Sequence, residues 1–289
     1  MATERPSAEP LPGDWLPVSG KRVYLVESGP KDPGTPAIVL LHGIPTSSYL
    51  WRNVQRPLSG KFRVLAPDLL GLGKSEQGAG LDVSLRANAA MVSELLRLKG
   101  IERAHVVAHD IGGGVAQILA ADHRERVAKL AVMDIVAFKE DWPVPVIKLL
   151  SAPVLGDILA VFPSGPNLKF NMRRAIFHKE RLAGEVWRNY HVFFKTYAGR
   201  AGFARFIRAM DNEDVDDALR RWTGHAKSDP IPTLILWGKH DPFLPPAIAE
   251  KLRAIIPGAS VELIEDASHF IQEDVPDVIA DRLGAFFST

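Results

Sequence analysis

The chain has 289 residues, of which 46% are hydrophobic, so it is long and apolar enough to form one large domain or a domain with an insertion. Its 35 basic and 34 acidic residues leave a net charge of +1, which does not suggest nucleic acid or an anionic membrane as a partner. The lack of cysteine excludes a disulfide framework and a thiolate metal site.

The N-terminal region is polar and rich in proline, which predicts a mobile tail over about residues 1–12 and no secretory signal. The most apolar later stretch, 144–162, is interrupted by Lys148, Pro153 and Asp157, so it is a poor membrane span. We therefore expect a cytoplasmic protein.

Strand-like and helix-like segments alternate through the first half of the chain. Ser47 is a suitable cap for the first predicted helix, and Gly100 ends the second. The predicted strands are 22–29, 37–43, 62–69, 104–110 and 127–136, and the predicted helices are 48–58 and 84–99.

This alternation is interrupted over residues 138–224, where only helix-like segments occur, and it resumes afterwards. The later strands are predicted at 232–238 and 260–266, and the later helices at 246–256 and near 275–287. Such a pattern predicts an α/β fold with a mainly parallel, doubly wound sheet. Residues 1–137 and 225–289 would form its core, and residues 138–224 a helical cap inserted between them.

Polar side chains occur where four of these strands end, which is where parallel sheets bind ligands: His42, Asp110, Asp241 and His269. Asp110 lies in the sequence AHDIGG, between a strand and a helix. The small residues around it permit the sharp turn of a nucleophile elbow. The structural alternative is that Asp110 only caps the following helix.

The order nucleophile, acid, histidine along the chain favours a catalytic set over a helix cap. Asp110 would be the nucleophile, His269 the base and Asp241 the acid that orients it. Asp134, near the end of the strand 127–136, is the alternative acid. Backbone N–H groups of Ile44 and Ile111 would form an oxyanion hole.

The motifs HGIP, DLLGLGKS, HDIGG and GKHDP, with the segment around His269, resemble those of α/β-hydrolases from about residue 18 to residue 287. Within that superfamily the chain is similar to the branch with an aspartate nucleophile: haloalkane dehalogenases, haloacetate dehalogenases and epoxide hydrolases. The resemblance implies the α/β-hydrolase fold with a helical cap. It also implies a cis bond between Ile44 and Pro45, because HGxP loops of these families use one.

A carboxylate nucleophile allows chemistry that a serine does not. It can displace a leaving group from an sp³ carbon and form an alkyl-enzyme ester. His269 would then activate a water molecule that attacks the ester carbonyl carbon of Asp110. Halide and epoxide oxygen are suitable leaving groups, so the substrate would be a small, largely apolar molecule.

The residues around the predicted elbow indicate which of these leaving groups the protein could stabilise. Dehalogenases of the resembled family hold the halide with a tryptophan after the nucleophile, often together with an asparagine in the HGxP loop. Ile111 and Ile44 occupy these positions here. Haloacetate dehalogenases place arginines near the elbow, where this chain has Ile111 and Gly114.

The predicted cap contains residues that could assist a leaving group. Epoxide hydrolases protonate the ring oxygen with a cap tyrosine, for which Tyr190, beside His191, is the candidate. Its alternative role is packing in the cap, and a second tyrosine near the end of the cap is missing. Trp142 is a candidate donor of an N–H group to a halide.

The sequence therefore favours epoxide hydrolysis as the function. An atypical haloalkane dehalogenase is the alternative, and a ligand-binding protein on a hydrolase scaffold is the third hypothesis. No metal or cofactor is implied, and the sequence does not give the oligomeric state.

Overall fold

An eight-stranded sheet forms the centre of the computed structural model, which describes residues 6–138, 165–210, 212–225 and 229–289. Its spatial order is β1-β2-β4-β3-β5-β6-β7-β8. Only the pairs β1–β2 and β2–β4 are antiparallel, and the other five neighbouring pairs are parallel. This confirms the predicted mainly parallel sheet. The strands are β1 (Asp14–Val18), β2 (Lys21–Ser28), β3 (Ala37–Leu41), β4 (Arg63–Pro67), β5 (Ala104–Asp110), β6 (Val127–Ile135), β7 (Thr233–Gly238) and β8 (Ser260–Ile264).

Helices cover both faces of this sheet. Numbered along the described residues, the α-helices are α1 (Arg52–Leu58), α2 (Leu85–Leu98), α3 (Gly112–Asp122), α4 (Gly165–Arg174), α5 (Gly184–His191), α6 (Tyr197–Ala209), α7 (Asn212–His225), α8 (Ala247–Ile255), α9 (Ile271–Asp274) and α10 (Pro276–Ser288). Short 3₁₀ segments occur at Ser48–Trp51, Arg124–Arg126, Lys179–Leu182 and Val192–Lys195.

The apolar strands explain the two hydrophobic layers. All five residues of β3 are buried; Val39 and Leu41 pack into one cluster, and Ile38 and Leu40 into the other. Successive side chains of a strand point to opposite faces, so an uninterrupted apolar strand supplies a core on each side. The first cluster includes side chains of α2, α3, α7 and α8, and the second includes those of α1, α9 and α10.

The predicted helix ends are present in the structure. The Ser47 side chain accepts a hydrogen bond from the N–H of Tyr49, and Ser84 accepts one from the N–H of Ala87. Gly100 follows α2 with a φ of 68°, a left-handed conformation that glycine adopts without a steric cost.

The predicted tail at the N-terminus contacts the rest of the protein. The carbonyl of Ser7 accepts hydrogen bonds from Arg52 and Asn53, and the carbonyl of Ala8 accepts them from Tyr49 and Asn189. These contacts tie two residues of the predicted tail to the rest of the protein, and the mobility of residues 1–12 stays a prediction. Strand β1 was not predicted, because its sequence DWLPV is short and contains a proline.

The described part of the predicted cap is helical, with no strand among its described residues. Its last helix, α7, places Val215, Leu219 and Trp222 in the same hydrophobic cluster as the helices α2 and α3. The end of the segment therefore packs directly on the core layer. Trp142 and the apolar stretch 144–162 lie outside the described residues. Among the residues described, no helix is long and apolar enough to cross a membrane.

Candidate active site

The turn after β5 has the backbone geometry of a sharp elbow. Asp110 is the last residue of the strand and has a φ of 52°, a left-handed conformation that is unusual for a residue with a side chain. Helix α3 begins two residues later, at Gly112. A Cβ atom added there would lie 2.7 Å from the carbonyl oxygens of Leu41 and His42, so the close approach of β3 requires glycine.

The carboxylate of Asp110 faces two backbone N–H groups. The N–H of Ile44 donates to Oδ1 at 2.8 Å, and the N–H of Ile111 also stabilises the carboxylate. Burial by itself raises the pKa of Asp110, but the contact with His269 and the N–H of Ile111 lower it below its ordinary value of 3.8. The side chain is therefore ionised, and the two predicted oxyanion donors both reach it. The Ile44–Pro45 bond is cis, as predicted.

His269 lies between two carboxylates. Its Nδ1 is 2.8 Å from Oδ2 of Asp241, and its Nε2 is 3.6 Å from Oδ2 of Asp110. The other oxygen of Asp241 accepts the N–H groups of Phe243 and Leu244. Because a carboxylate can only accept, Nδ1 carries a proton and Nε2 is the basic atom of the neutral ring. Burial lowers the pKa of His269, but the charges of Asp241 and Asp110 raise it well above its ordinary value of 6.5.

The alternative acid, Asp134, lies beside this set without taking the predicted place of the acid. It is fully buried at the end of β6, and its Oδ1 accepts the N–H of Gly238 at 2.9 Å. Burial, and then the charge of Asp241, raise its pKa well above 3.8. The Nδ1 atom of His269 is hydrogen-bonded to Asp241, so the geometry favours Asp241 as the orienting acid.

Two other histidines support the loops that carry these residues. His109 donates from Nε2 to the backbone carbonyl of His269 at 2.8 Å, and burial lowers the pKa of His109 to about 3. The Nε2 atom of His42 accepts the N–H of Leu69, which leaves Nδ1 to donate to the carbonyl of Gly43. Both rings are therefore neutral supports, one for the histidine loop and one for the oxyanion loop.

Of the cap residues predicted to assist a leaving group, Tyr190 and His191 have their described contacts away from Asp110, and Trp142 lies outside the described residues. The hydroxyl of Tyr190 donates to the buried carboxylate of Glu273, which also forms a bidentate ion pair with Arg52. This contact argues against the expectation that Tyr190 is the proton donor, because its only proton is already engaged. His191 instead stacks on Trp187, with ring centroids 4.8 Å apart.

Comparison with known proteins identifies the family. A family model described as the alpha/beta hydrolase fold matches residues 36–276. The chain belongs to the α/β-hydrolase fold family.

Relatives of this hydrolase include two of the three enzyme types that its motifs resemble. Haloalkane dehalogenase 2 of Mycobacterium tuberculosis strain H37Rv is 29% identical, and the match covers 96% of each chain. The soluble epoxide hydrolase of Corynebacterium sp. strain C12 is 30% identical, with 94% of this chain and 95% of the relative covered. The crystal structure of an alpha/beta hydrolase fold protein from Burkholderia ambifaria is 26% identical and superposes with a TM-score of 0.81, covering 93% of this chain and 96% of that one.

Sequence reasoning missed two features of the hydrolase around this site. The Arg52–Glu273 pair joins α1 to α9, and Phe243 packs edge-on against His269 with ring centroids 5.6 Å apart. None of these three residues lies at the end of a strand. Only Phe243 could have drawn attention, because it comes directly after the motif GKHDP. Within the described parts of the chain, no group of three or more side chains has the arrangement of a metal site.

Proposed function

We propose that this hydrolase acts through Asp110 and a covalent alkyl-enzyme ester. The proposal rests on one observation, which is that the two oxygens of Asp110 have different contacts. Oδ1 accepts the N–H of Ile44, and Oδ2 is the oxygen that faces His269. The carboxylate is thus held at one oxygen and available at the other.

In the first step, Oδ2 of Asp110 attacks an electrophilic sp³ carbon of the substrate. A carbon–oxygen bond forms with Asp110 as the bond to the leaving atom breaks, and the leaving atom takes the bonding electron pair. A halide then departs, whereas the oxygen of an epoxide stays on the adjacent carbon and takes a proton from the group that the cap would supply. The negative charge of Asp110 is lost when the ester forms. The pKa of His269 consequently falls, because one of the two charges that raise it has disappeared.

In the second step, neutral His269 takes a proton at Nε2 from a water molecule, and the resulting hydroxide attacks Cγ of Asp110. The tetrahedral intermediate carries its negative charge on Oδ1, which the N–H of Ile44 stabilises, and the N–H of Ile111 donates to the same carboxyl group. Collapse of the intermediate releases the product alcohol, which takes the proton from His269. Asp241 stabilises the imidazolium in the interval.

We propose an epoxide as the preferred substrate class and a haloalkane as the alternative. A departing halide needs N–H donors, and the side chains of Ile44 and Ile111 offer none. The similarity to a named epoxide hydrolase and a named haloalkane dehalogenase is compatible with either class. The predicted cap, residues 138–224, would cover the site and supply the group that assists the leaving atom.

A panel of terminal epoxides and haloalkanes of matched chain length tests the proposal. We expect diol formation from epoxides that is abolished by Asp110→Ala, with little halide release from the haloalkanes. Brisk halide release without diol formation would instead establish the dehalogenase alternative. Binding of both classes without turnover would contradict the proposed reaction and favour a ligand-binding role.

A further inference from the structure

Two buried carboxyl groups approach each other behind His269. Asp134 is the penultimate residue of β6 and Asp241 follows the neighbouring strand β7, so the pairing of these strands brings the two side chains together. Asp134 is fully buried and has a φ of 46°, a strained conformation for a residue with a side chain. Its Oδ1 is fixed by the N–H of Gly238. The side chain is thus held in place at the acid end of the site.

The second oxygen of Asp134 has no ordinary donor. Among the described residues, no N–H or hydroxyl group donates to Oδ2, although this atom is buried. A buried carboxylate oxygen without a donor or a cation is costly, whereas a protonated oxygen can donate and be satisfied. The neighbouring side chain within hydrogen-bonding reach is the carboxylate of Asp241.

The hydrogen bonds of Asp241 show which of the two groups is ionised. Asp241 accepts the N–H groups of Phe243 and Leu244 at one oxygen and the Nδ1–H of His269 at the other. Three donors stabilise a carboxylate, while among the described residues one donor, the N–H of Gly238, reaches Asp134. A proton shared between the two groups therefore belongs to Asp134.

We propose that Asp134 is a neutral carboxylic acid that donates from Oδ2 to Asp241 and thereby positions Asp241 for His269. Asp134 is a positioning residue, since it acts on the chemistry only through Asp241. Burial and the adjacent charge of Asp241 raise the pKa of Asp134, while His269 lowers it, and the net shift is well upward. Its effect on turnover rests on the proposed function, but its protonation does not.

The neutral state of Asp134 affects the ability of His269 to act as a base. Asp241 and Asp110 already place two negative charges beside His269. In the alkyl-enzyme, where Asp110 is uncharged, a charge on Asp134 would add to that of Asp241, raise the pKa of His269 and keep the ring protonated when it must accept a proton from water. A neutral donor instead orients Asp241 and withdraws part of its negative charge.

Two substitutions separate this positioning role from other roles. Asn at position 134 can accept from Gly238 at its oxygen and donate from Nδ2 to Asp241, whereas Leu can do neither. We expect Asp134→Asn to hydrolyse the alkyl-enzyme within about threefold of the wild-type rate constant. Asp134→Leu should slow hydrolysis at least about tenfold, as loss of a hydrogen bond to a charged group implies. Asp134→Leu should also move the acid limb of the pH profile of hydrolysis to higher pH, while the alkylation rate constant stays unchanged.

Equal impairment of both variants would show that an ionised carboxylate is needed. Wild-type behaviour of both variants would show that the hydrogen bond is unimportant. Either result overturns the proposal.

Infrared difference spectroscopy of wild type against Asp134→Asn tests the protonation without turnover. We expect the wild-type protein at neutral pH to show the C=O stretch of a protonated carboxylic acid, and the variant to lack it. A wild-type spectrum containing only carboxylate bands at this position would overturn the proposal, even if the Leu variant did not fold. Because this readout needs no substrate, it separates failure of the inference from failure of the Asp110 mechanism.

Discussion

Asp110 lies so close to the oxyanion loop that there is no room for a side chain at Gly43. A Cβ built on Gly43 would be 2.3 Å from Oδ1 of Asp110, the oxygen that Ile44 holds. We predict that Gly43→Ala lowers turnover at least about 10²-fold, because displacement of a reacting group by about 1 Å costs that much.

Gly224→Ala is the matched control, because a Cβ at Gly224 meets nothing within 4 Å. Initial rates of both variants, with circular dichroism as the check of folding, decide the result. Wild-type turnover by a folded Gly43→Ala protein would show that Asp110 does not react from this position.

The opposite pKa shifts of Asp110 and His269 predict a separation of the two chemical steps by pH. The pKa of Asp110 is below 3.8, so alkylation should persist as the pH is lowered from about 9 to about 5. Ester hydrolysis needs neutral His269, whose pKa is raised by Asp241, so it should slow about tenfold per pH unit below that pKa.

Single-turnover rapid-quench experiments across this pH range measure both rate constants. We expect the alkyl-enzyme to accumulate at the acid end of the range. Parallel loss of both steps with falling pH would contradict the assigned roles.

At the scale of secondary-structure elements, Tyr190 connects the helix α5 to the core. Its hydroxyl donates to Glu273 in α9, and burial, with the charge of Glu273, raises the pKa of Tyr190 well above 10. We predict that Tyr190→Phe lowers the free energy of unfolding by about 2 kcal/mol, as expected for a lost hydrogen bond to a charged group. Turnover should remain within about threefold of wild type.

Urea denaturation and initial rates measure the two effects. Tyr197→Phe is the control, because that side chain is 64% exposed and its hydroxyl should contribute little. A large loss of epoxide turnover in Tyr190→Phe without loss of stability would restore Tyr190 as the proton donor.

The predicted strands agree with the structure wherever the sequence is strongly apolar. Strand β5 was predicted with its observed bounds, and β3 and β6 within two residues at each end, because these strands are buried and rich in branched side chains. The edge strand β1 was missed, since half-exposed strands have weaker patterns. The candidate triad was predictable because its residues come at the ends of recognisable strands, and these ends meet at one edge of the sheet.

For the molecule as a whole, contacts between distant segments were not predictable. The Arg52–Glu273 pair spans 221 positions in sequence, and Tyr190, Tyr49 and Ala8 join it from three further segments. Such contacts depend on how helices pack, which no local pattern encodes. The contact of Tyr190 with Glu273 was not predictable for this reason, since the sequence of a cap helix does not show whether its tyrosine faces a substrate or a buried carboxylate.

The central claim concerning the whole enzyme is that substrate becomes covalently attached to Asp110. His269→Gln should leave alkylation intact and slow ester hydrolysis, because it removes the base but not the nucleophile. His123→Gln, beyond the far end of α3, is the control and should not accumulate the intermediate.

Intact-protein mass spectrometry after addition of a substrate that the wild-type enzyme turns over is the most direct test. We predict that His269→Gln gains the mass of one substrate-derived alkyl group and that peptide mapping places it on Asp110. An adduct on another residue, or no adduct with such a substrate, would contradict the Asp110 mechanism.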